Sequence, residues 1–236
     1  PKRPRTAAKN APAAEQTGCW EVPALDDYKK IRVLYEKKGR ARYISHLDIN
    51  RLMQRVLKRA GLPVWYTEGF NPHMYLTFAL PLSLGCESEA EYMDFRLTED
   101  LPFDEICRRF NDSLPEGIHV REAFAPIHKT AEIARADYRI RLQAGCGSEM
   151  LKKSWDAFWG AERIEVVKKT KRGMQTVDLK PEVVLSGTAI EEDGLTLFLS
   201  LPAGPEKNYN PSLLLDEFGR QTGLEPREQM LRTRVY

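Results

Sequence analysis

Basic side chains recur at helical spacing in the segment from residue 40 to residue 59. Arg51 and Arg55 lie one helical turn apart, so their guanidinium groups can bind successive phosphates of a nucleic acid. Solvated helix faces usually mix charges of both signs, yet no acid follows Asp48 before Ala60. We therefore predict a phosphate-binding surface here, with an ordinary solvated helix face as the alternative. Its cationic residues are Arg40, Arg42, Arg51, Arg55, Lys58 and Arg59.

A second basic cluster marks the tip of a predicted hairpin. Lysines on a turn can clamp a nucleic-acid backbone, or they can keep a sheet edge soluble. The residues themselves do not decide between these two roles. Arg232 and Arg234, on one face of the last predicted strand, would extend the cluster. The hairpin residues are Lys168, Lys169, Lys171 and Arg172.

Two histidines are candidates for acid–base chemistry. His46 falls in the first turn of the basic helix, and His73 ends the turn that begins at Glu68. An imidazole near cationic residues can move a proton at an RNA 2′-hydroxyl or leaving group. The structural alternative is that His46 orders the start of the helix and His73 completes a tight turn. The Glu68–His73 segment is also suited to a recognition loop.

The helix that must position these groups has clear start and stop signals. Ser45 is a typical N-cap, and Asp48 completes a capping-box pattern three residues later. Gly61 followed by Pro63 predicts the end of the helix. The apolar residues recur with helical periodicity, which predicts one buried face. They are Ile49, Leu52, Met53, Val56 and Leu57.

The remaining pattern predicts an α+β fold of two tandem ferredoxin-like (βαββαβ) units with antiparallel sheets. The first unit spans residues 27–130 and the second spans residues 131–236. Residues 1–26 lack periodicity and predict a disordered basic tail. In the first unit, strands are predicted over residues 28–36, 64–67, 75–80, 91–98 and 118–124, and a second helix over residues 103–114.

The second unit repeats the order of the first. Ser148 is predicted to cap a helix, and Asp193-Gly194 indicates a hairpin turn. Asn210-Pro211 is typical of the start of a helix. Strands are predicted over residues 137–142, 164–169, 176–185 and 230–236.

Composition and motifs exclude several classes of protein. The four cysteines form no Cys-x-x-Cys pair and have no histidines at zinc-finger spacing, so no metal site is predicted. No apolar run approaches the ~20 residues that span a bilayer, so we expect a cytoplasmic protein without membrane contact. Phosphate-binding glycine loops and hydrolase motifs are absent. The net charge of +2 hides a polarised distribution, with nine basic and two acidic residues between Ile31 and Ala60.

Two motifs together resemble the radical-SAM-linked protein family, a domain of unknown function. They are the Ser45-His46-Leu47-Asp48 run and the Glu68–His73 segment, and the similarity is densest from Ile31 to Leu97. The resemblance implies a radical-SAM protein as partner, which would carry the SAM and the iron–sulfur cluster, with no cofactor on this chain. The matching motif positions are Ser45, His46, Asp48, Arg51, Arg55, Glu68, Gly69, Asn71, Pro72 and Glu91.

These observations lead to one expected function and two alternatives. We expect an RNA-binding accessory protein that presents tRNA or rRNA to a radical-SAM enzyme, rather than a stand-alone enzyme. The first alternative is a metal-independent endoribonuclease using His46 or His73, a plan similar to that of the ferredoxin-like CRISPR endonucleases. The second is a module that binds only its protein partner.

Overall fold

The computed structural model describes residues 28–170 and 173–236. Within these ranges the chain forms ten strands and four α-helices, and eight of the strands belong to one mostly antiparallel sheet. The predicted α+β class is confirmed. The predicted tail over residues 1–26 lies outside the described residues.

The first half of the chain contributes four strands and two helices. They are β1 (Lys29–Lys37), α1 (His46–Arg59), β2 (Leu76–Phe78), β3 (Glu87–Leu97), α2 (Phe103–Ser113) and β4 (Ile118–Phe124).

The second half contributes six strands and two helices. They are β5 (Arg135–Gln143), α3 (Ser148–Trp159), β6 (Glu165–Thr170), β7 (Gly173–Asp178), β8 (Val184–Glu191), β9 (Gly194–Pro202), α4 (Ser212–Thr222) and β10 (Arg227–Val235).

Both halves share the large sheet. Its order is β4-β1-β3-β10-β5-β9-β8. Strand β2 pairs with residues 93–95 of β3, whereas β10 pairs with residues 87 and 88 of the same strand. The halves meet where β10 runs parallel to β3, through the residue pairs Leu231–Glu87 and Arg232–Ser88. Strands β6 and β7 form a separate hairpin. The first half thus reaches the second through a very short parallel contact.

Helix α1 forms as its sequence predicts. The Ser45 hydroxyl accepts a hydrogen bond from the Asp48 backbone N–H at 3.2 Å, and it also lies 2.7 Å from the Asp48 carboxylate. After the helix, Gly61 takes a φ of +61°, a left-handed conformation that favours glycine. The apolar face packs into the core, with Met53 and Val56 fully buried. The opposite face is therefore left to solvent.

Three predicted strands need correction. Residues 64–67 form only isolated bridges, of Val64 with Leu97 and of Tyr66 with Met74, because the segment has only a short antiparallel contact with the end of β3. The strand predicted over residues 75–80 is limited to Leu76–Phe78. The strand predicted over residues 176–185 is two strands, β7 and β8, separated by a turn.

Two further sequence expectations differ from the structure. Ser148 is the first residue of α3 and not its cap, since Gly147 occupies the N-cap position. Arg232 and Arg234 do not share one face, because the pairing of β10 with β5 shifts register between them. Arg232 is buried and Arg234 is exposed.

The helices cover one side of the sheet and enclose two hydrophobic clusters. One contains residues from Ile31 to Ala123, and the other contains residues from Ala136 to Phe218 together with Cys86. Leu80 and Leu82 of the first half also pack against the second cluster. The segment from residue 80 to residue 86 therefore belongs to both halves. None of the helices described here is long and apolar enough to cross a membrane.

Candidate functional site

The exposed side of α1 carries four basic residues. We call this set, Arg51, Arg55, Lys58 and Arg59, the cationic face, and all four side chains are exposed. Arg51 lies 3.2 Å from the Asp48 carboxylate but keeps 69% of its side chain accessible. The structure therefore places the predicted residues together on one open surface.

Most of this positive charge is not neutralised by the protein itself. Across residues 28–170 and 173–236, Arg55 and Lys58 form no ion pair, and Arg59 donates only to the Ser113 carbonyl at 3.4 Å. Opposite charges on the surface of a fold usually find one another when they are close. Within the described ranges, Asp48 pairs with Arg51 alone, and the Glu105 carboxylate of α2 pairs with Arg108 and Arg109 of its own helix. The cationic face is available to an external anion.

Two more predicted arginines lie in the 3₁₀ turn before α1. Arg40 is exposed, and it has no ion pair within the part of the chain that the structure describes. Arg42 lies 3.6 Å from Glu87 and stacks on Tyr43, with its guanidinium carbon 4.9 Å from the ring centre. Tyr43 is itself mostly exposed. This turn adds one free cation and one aromatic surface at the N-terminal end of α1.

The Glu68–His73 segment is an exposed loop held by its own ends. Gly69 has a φ of +115°, which a side chain would strain. The His73 ring nitrogen Nδ1 lies 3.0 Å from the Thr67 hydroxyl and 3.1 Å from the Asn71 carbonyl oxygen. His73 thus has the surroundings of a turn residue. Glu68, Asn71, Pro72 and the fully exposed Phe70 project from the loop.

His46 lies in different surroundings, at the start of α1. Its ring makes an edge contact with Phe78, with the ring centres 5.2 Å apart. His46 and Glu91 line a common cavity with Tyr35 and Lys37. The volume of this cavity is about 10 Å³, which is room for about one water molecule. The structure therefore brings two motif residues together without space for a substrate.

Glu91 takes part in a buried ion pair that the sequence did not predict. Arg232 donates to the Glu91 carboxylate from Nε at 3.1 Å and also from one terminal nitrogen. The same terminal nitrogen donates to the Leu80 carbonyl at 2.9 Å. Arg232 and Glu91 are 2% and 5% exposed. One guanidinium therefore links β10, β3 and the segment that leaves β2.

The groups around this pair have shifted pKa values. Burial, followed by the charge of Glu91, raises the pKa of Tyr35 well above its ordinary value. Burial also raises the pKa of Cys86 to about 12, so its thiol stays protonated and unreactive at neutral pH. The pKa of Lys37 is lowered by burial, and its ammonium donates to the Ile44 carbonyl at 2.7 Å. The cluster has the character of a structural centre.

Only part of the second predicted basic cluster can be placed. Lys171 and Arg172 lie outside the described residues, and Lys169 lies on β6. Lys168 donates to the Asn208 carbonyl at 2.5 Å and lies 4.7 Å from the centre of the Tyr209 ring. It is directed back onto the second half and does not extend from the hairpin. The structure therefore separates Lys168 from the cationic face.

Lys168 and Arg232 line a cavity at the junction of the two halves. We call it the junction pocket, and its volume is about 380 Å³. Leu80, Leu82 and Ser83 border it on one side, and the segment from Asn208 to Leu213 borders it on the other. Lys168 and Arg232 were predicted as parts of the second basic cluster, but the sequence did not indicate that they share a cavity. Among the residues described, no cluster of histidine, cysteine and carboxylate side chains has an arrangement that could hold a metal ion.

Comparisons with known proteins give a family and no activity. The profile of a family described as "Uncharacterized protein conserved in bacteria" (DUF2344) matches residues 30–211. No curated protein matches the chain. One similar solved structure is described as that of an unknown protein from Galdieria sulphuraria; it is 11% identical, covering 86% of this chain and 98% of that chain, with a TM-score of 0.24. A TM-score of this size does not establish a common fold.

Proposed function

The chain belongs to the uncharacterized bacterial family DUF2344, and for it we propose the role of an RNA-binding accessory protein to a radical-SAM enzyme. The cationic face of α1 would hold RNA phosphates, and the Glu68–His73 loop would contact the nucleotides beside them. The single observation that supports this most is the exposed positive charge of α1 beyond Asp48. Arg55 and Lys58 have no ion pair within residues 28–170 and 173–236.

The geometry of α1 suits a phosphate backbone. Arg51 and Arg55 are one turn apart, a rise of about 6 Å for four residues. Exposed Arg and Lys side chains release counterions when they bind phosphates, and this drives binding without sequence specificity. Tyr43, just before α1, and Phe70, in the loop, are exposed aromatic side chains on which unpaired bases could stack.

A salt titration with structured RNA tests the proposal. We expect the affinity of the native chain for tRNA to fall steeply as salt rises. Reversing two charges, in an Arg55→Glu/Lys58→Glu variant, should weaken binding and reduce the slope of log K against log salt by about 1.4 to 1.8. Fluorescence anisotropy across a range of salt concentrations measures both quantities.

A matched control separates a specific surface from net charge. The Arg121→Glu/Lys153→Glu variant changes the net charge by the same amount, but its exposed positions lie on β4 and α3. We expect this control to bind RNA nearly as the native chain does. An equal loss of affinity in both variants, or a native affinity that ignores salt, would remove the proposal.

The same RNA samples test the nuclease alternative. Pure protein incubated with tRNA and rRNA in EDTA should leave the RNA intact, because the cavity beside His46 has room for about one water molecule. Cleavage that disappears in a His46→Ala variant would replace the binding role by an endoribonuclease.

The partner is the second part of the proposal. It is supported by the resemblance carried by the Ser45–Asp48 and Glu68–His73 motifs, which implies that SAM and the iron–sulfur cluster are on a separate chain. Affinity purification from cells, read by mass spectrometry and RNA sequencing, should recover a radical-SAM protein together with RNA. Recovery of the enzyme without RNA would favour a module that binds only its protein partner.

We also propose that each half is a ferredoxin-like unit. Support comes from the strand orders, β4-β1-β3-β2 in the first half and β10-β5-β9-β8 in the second. Each half follows the sequence strand, helix, two strands, helix, strand, apart from the β6–β7 hairpin inserted in the second half. The division at about residue 130 agrees with the two hydrophobic clusters.

A further inference from the structure

The lining of the junction pocket differs from that of the other cavities in its chemistry. It contains two cations, two amides and two serine hydroxyls, but no carboxylate. By contrast, the cavity beside the end of α4 is lined by Asp216, Glu225 and Glu228. The cations, amides and serines of the junction pocket are Lys168, Arg232, Asn208, Asn210, Ser83 and Ser212, and Tyr138, Tyr209 and Cys86 also line it.

The charge of the pocket comes from Lys168. Arg232 also lines it, but its charge is balanced by Glu91. Lys168 forms no ion pair with any residue of the described ranges, and its ammonium is held in place by the Asn208 carbonyl and the Tyr209 ring. A lysine that is fixed but not neutralised favours an anionic ligand at this position.

The neutral polar groups are oriented by hydrogen bonds. Asn210 donates to the Ser83 hydroxyl at 3.0 Å, which leaves the hydroxyl proton of Ser83 free to donate to a ligand. The Asn210 side-chain oxygen Oδ1 accepts from the Ser212 backbone N–H at 3.2 Å, and the Leu213 and Leu214 N–H groups donate to the Asn210 and Pro211 backbone carbonyls, so the first N–H groups of α4 already have partners. Donors for an anion are therefore side chains, not the helix terminus.

The lining also includes the apolar side chains of Leu80, Pro81, Leu82, Pro211 and Leu213, together with Cys86 and the rings of Tyr138 and Tyr209. A volume of about 380 Å³ lies within the range of small-molecule sites, which combine an apolar lining with a few placed polar groups. The pocket thus suits a ligand with one anionic end and one flat, weakly polar part.

We propose that the junction pocket binds a nucleoside monophosphate, with the phosphate at Lys168 and the base between the leucine and proline side chains. The ligand would be either a free nucleotide or a terminal nucleotide of an RNA. This inference does not depend on RNA binding by the cationic face.

Isothermal titration calorimetry of the full chain tests the site with nucleoside 5′-monophosphates, the matching nucleosides and inorganic phosphate. We expect the monophosphates to bind more tightly than either part alone. A Lys168→Gln variant should lose about tenfold in affinity, the effect of removing one charge-assisted hydrogen bond. A 5′-phosphorylated RNA oligomer and its 5′-hydroxyl form then distinguish a terminal nucleotide from a free one.

Lys180 provides a matched control. Its ammonium also donates to a backbone carbonyl, that of Trp159, and lies 4.0 Å from an aromatic ring centre, but it does not line the junction pocket. A Lys180→Gln variant should bind monophosphates as the native chain does. Equal losses for Lys168→Gln and Lys180→Gln would overturn the inference, as would the absence of saturable binding to the native chain.

The cationic face supplies a second check. The Arg55→Glu/Lys58→Glu variant should keep its affinity for monophosphates, because α1 does not line the pocket. Loss of monophosphate binding in this variant would assign the nucleotide to α1 and overturn the pocket site. Loss of RNA binding alone concerns only the proposed function.

Discussion

Removing the Glu91 charge should be among the most destabilising substitutions in the protein. In a Glu91→Gln variant, the buried Arg232 guanidinium keeps its positive charge and loses its counterion. Leaving a buried charge unpaired costs about 3 to 5 kcal/mol of unfolding free energy. The cost of Glu91→Gln should fall in this range because Arg232 is only 2% exposed.

The converse substitution, Arg232→Met, should cost at least as much. It leaves the Glu91 carboxylate buried without a partner, and it also removes the donor of the Leu80 carbonyl. An unsatisfied buried acceptor adds about 1 to 3 kcal/mol. The Glu91→Gln/Arg232→Met double variant has neither charge. Its loss of unfolding free energy should therefore be smaller than the sum of the two single losses by about 2 kcal/mol or more.

Urea denaturation, followed by circular dichroism, measures the unfolding free energies of the native chain, the two single variants and the double variant. These four values form a double-mutant cycle, which gives the coupling between Glu91 and Arg232. The Arg32–Asp94 pair is the control, because it is bidentate at 2.6 and 2.8 Å but lies on the opposite face of the sheet and keeps 11% and 21% of its side chains accessible. Asp94→Asn should cost less than Glu91→Gln, because Arg32 and Asp94 keep more contact with water than Arg232 and Glu91 do. If Glu91→Gln costs no more than Asp94→Asn, or if the costs of Glu91→Gln and Arg232→Met simply add, the buried pair does not join the two halves as argued.

Three other substitutions have defined outcomes. Ser45→Ala should lower the urea unfolding free energy by about 1 kcal/mol, because α1 loses its cap. Burial raises the pKa of the Cys86 thiol from 9.0 to about 12. The stability that this protonated thiol contributes is therefore complete below pH 9 and is lost as the pH rises further. In a Cys86→Ala variant, the unfolding free energy should fall less steeply between pH 9 and pH 11 than it does in the native chain. Gly117→Ala should lower the Tm more than Gly85→Ala; both glycines have positive φ, but a Cβ at residue 117 would also lie 2.6 Å from the Lys38 carbonyl oxygen.

Local signals explain what could be predicted from the sequence. Helix α1 follows from Ser45, Asp48 and a regular apolar stripe, all within one short segment, and the exposed position of Arg55 follows from the same periodicity. Strand β4 has the bounds that the sequence predicts, although its alternation breaks at Arg121 and Glu122, where its pairing with β1 shifts register. Such features depend on neighbours a few residues away.

The errors arise where structure depends on distant partners. Residues 64–67 have the composition of a strand, yet they form only isolated bridges, because β3 offers them only its end, at Leu97, and Tyr66 pairs with Met74. Lys168 was predicted to extend from a hairpin tip, but Tyr209 and Asn208, forty residues further on, hold it against the second half. Residue types alone do not show such pairings.

Arg232 illustrates this limit best. Alternation along the last strand places Arg232 on the same face as Arg234, and arginine side chains are usually exposed to solvent. Its burial follows from the sheet: beyond Ala79 the chain leaves the edge of β3, and β10 pairs with β3 further along, at Glu87 and Ser88. The change of neighbour leaves the Leu80 carbonyl without a strand partner and brings Glu91 near β10, and a long side chain with several donors satisfies both.

The same change of neighbour accounts for the junction pocket. Because residues 80–86 must leave the sheet to let β10 pair with β3, they pack as a loop against the segment from Asn208 to Leu213. Irregular segments from two halves do not interdigitate as closely as strands and helices do, so a polar cavity remains between them. The Arg232–Glu91 pair lies at the base of this arrangement, since Arg232 lines the cavity while its charge is balanced from β3. Stability at the junction and ligand binding are therefore expected to depend on the same short parallel contact.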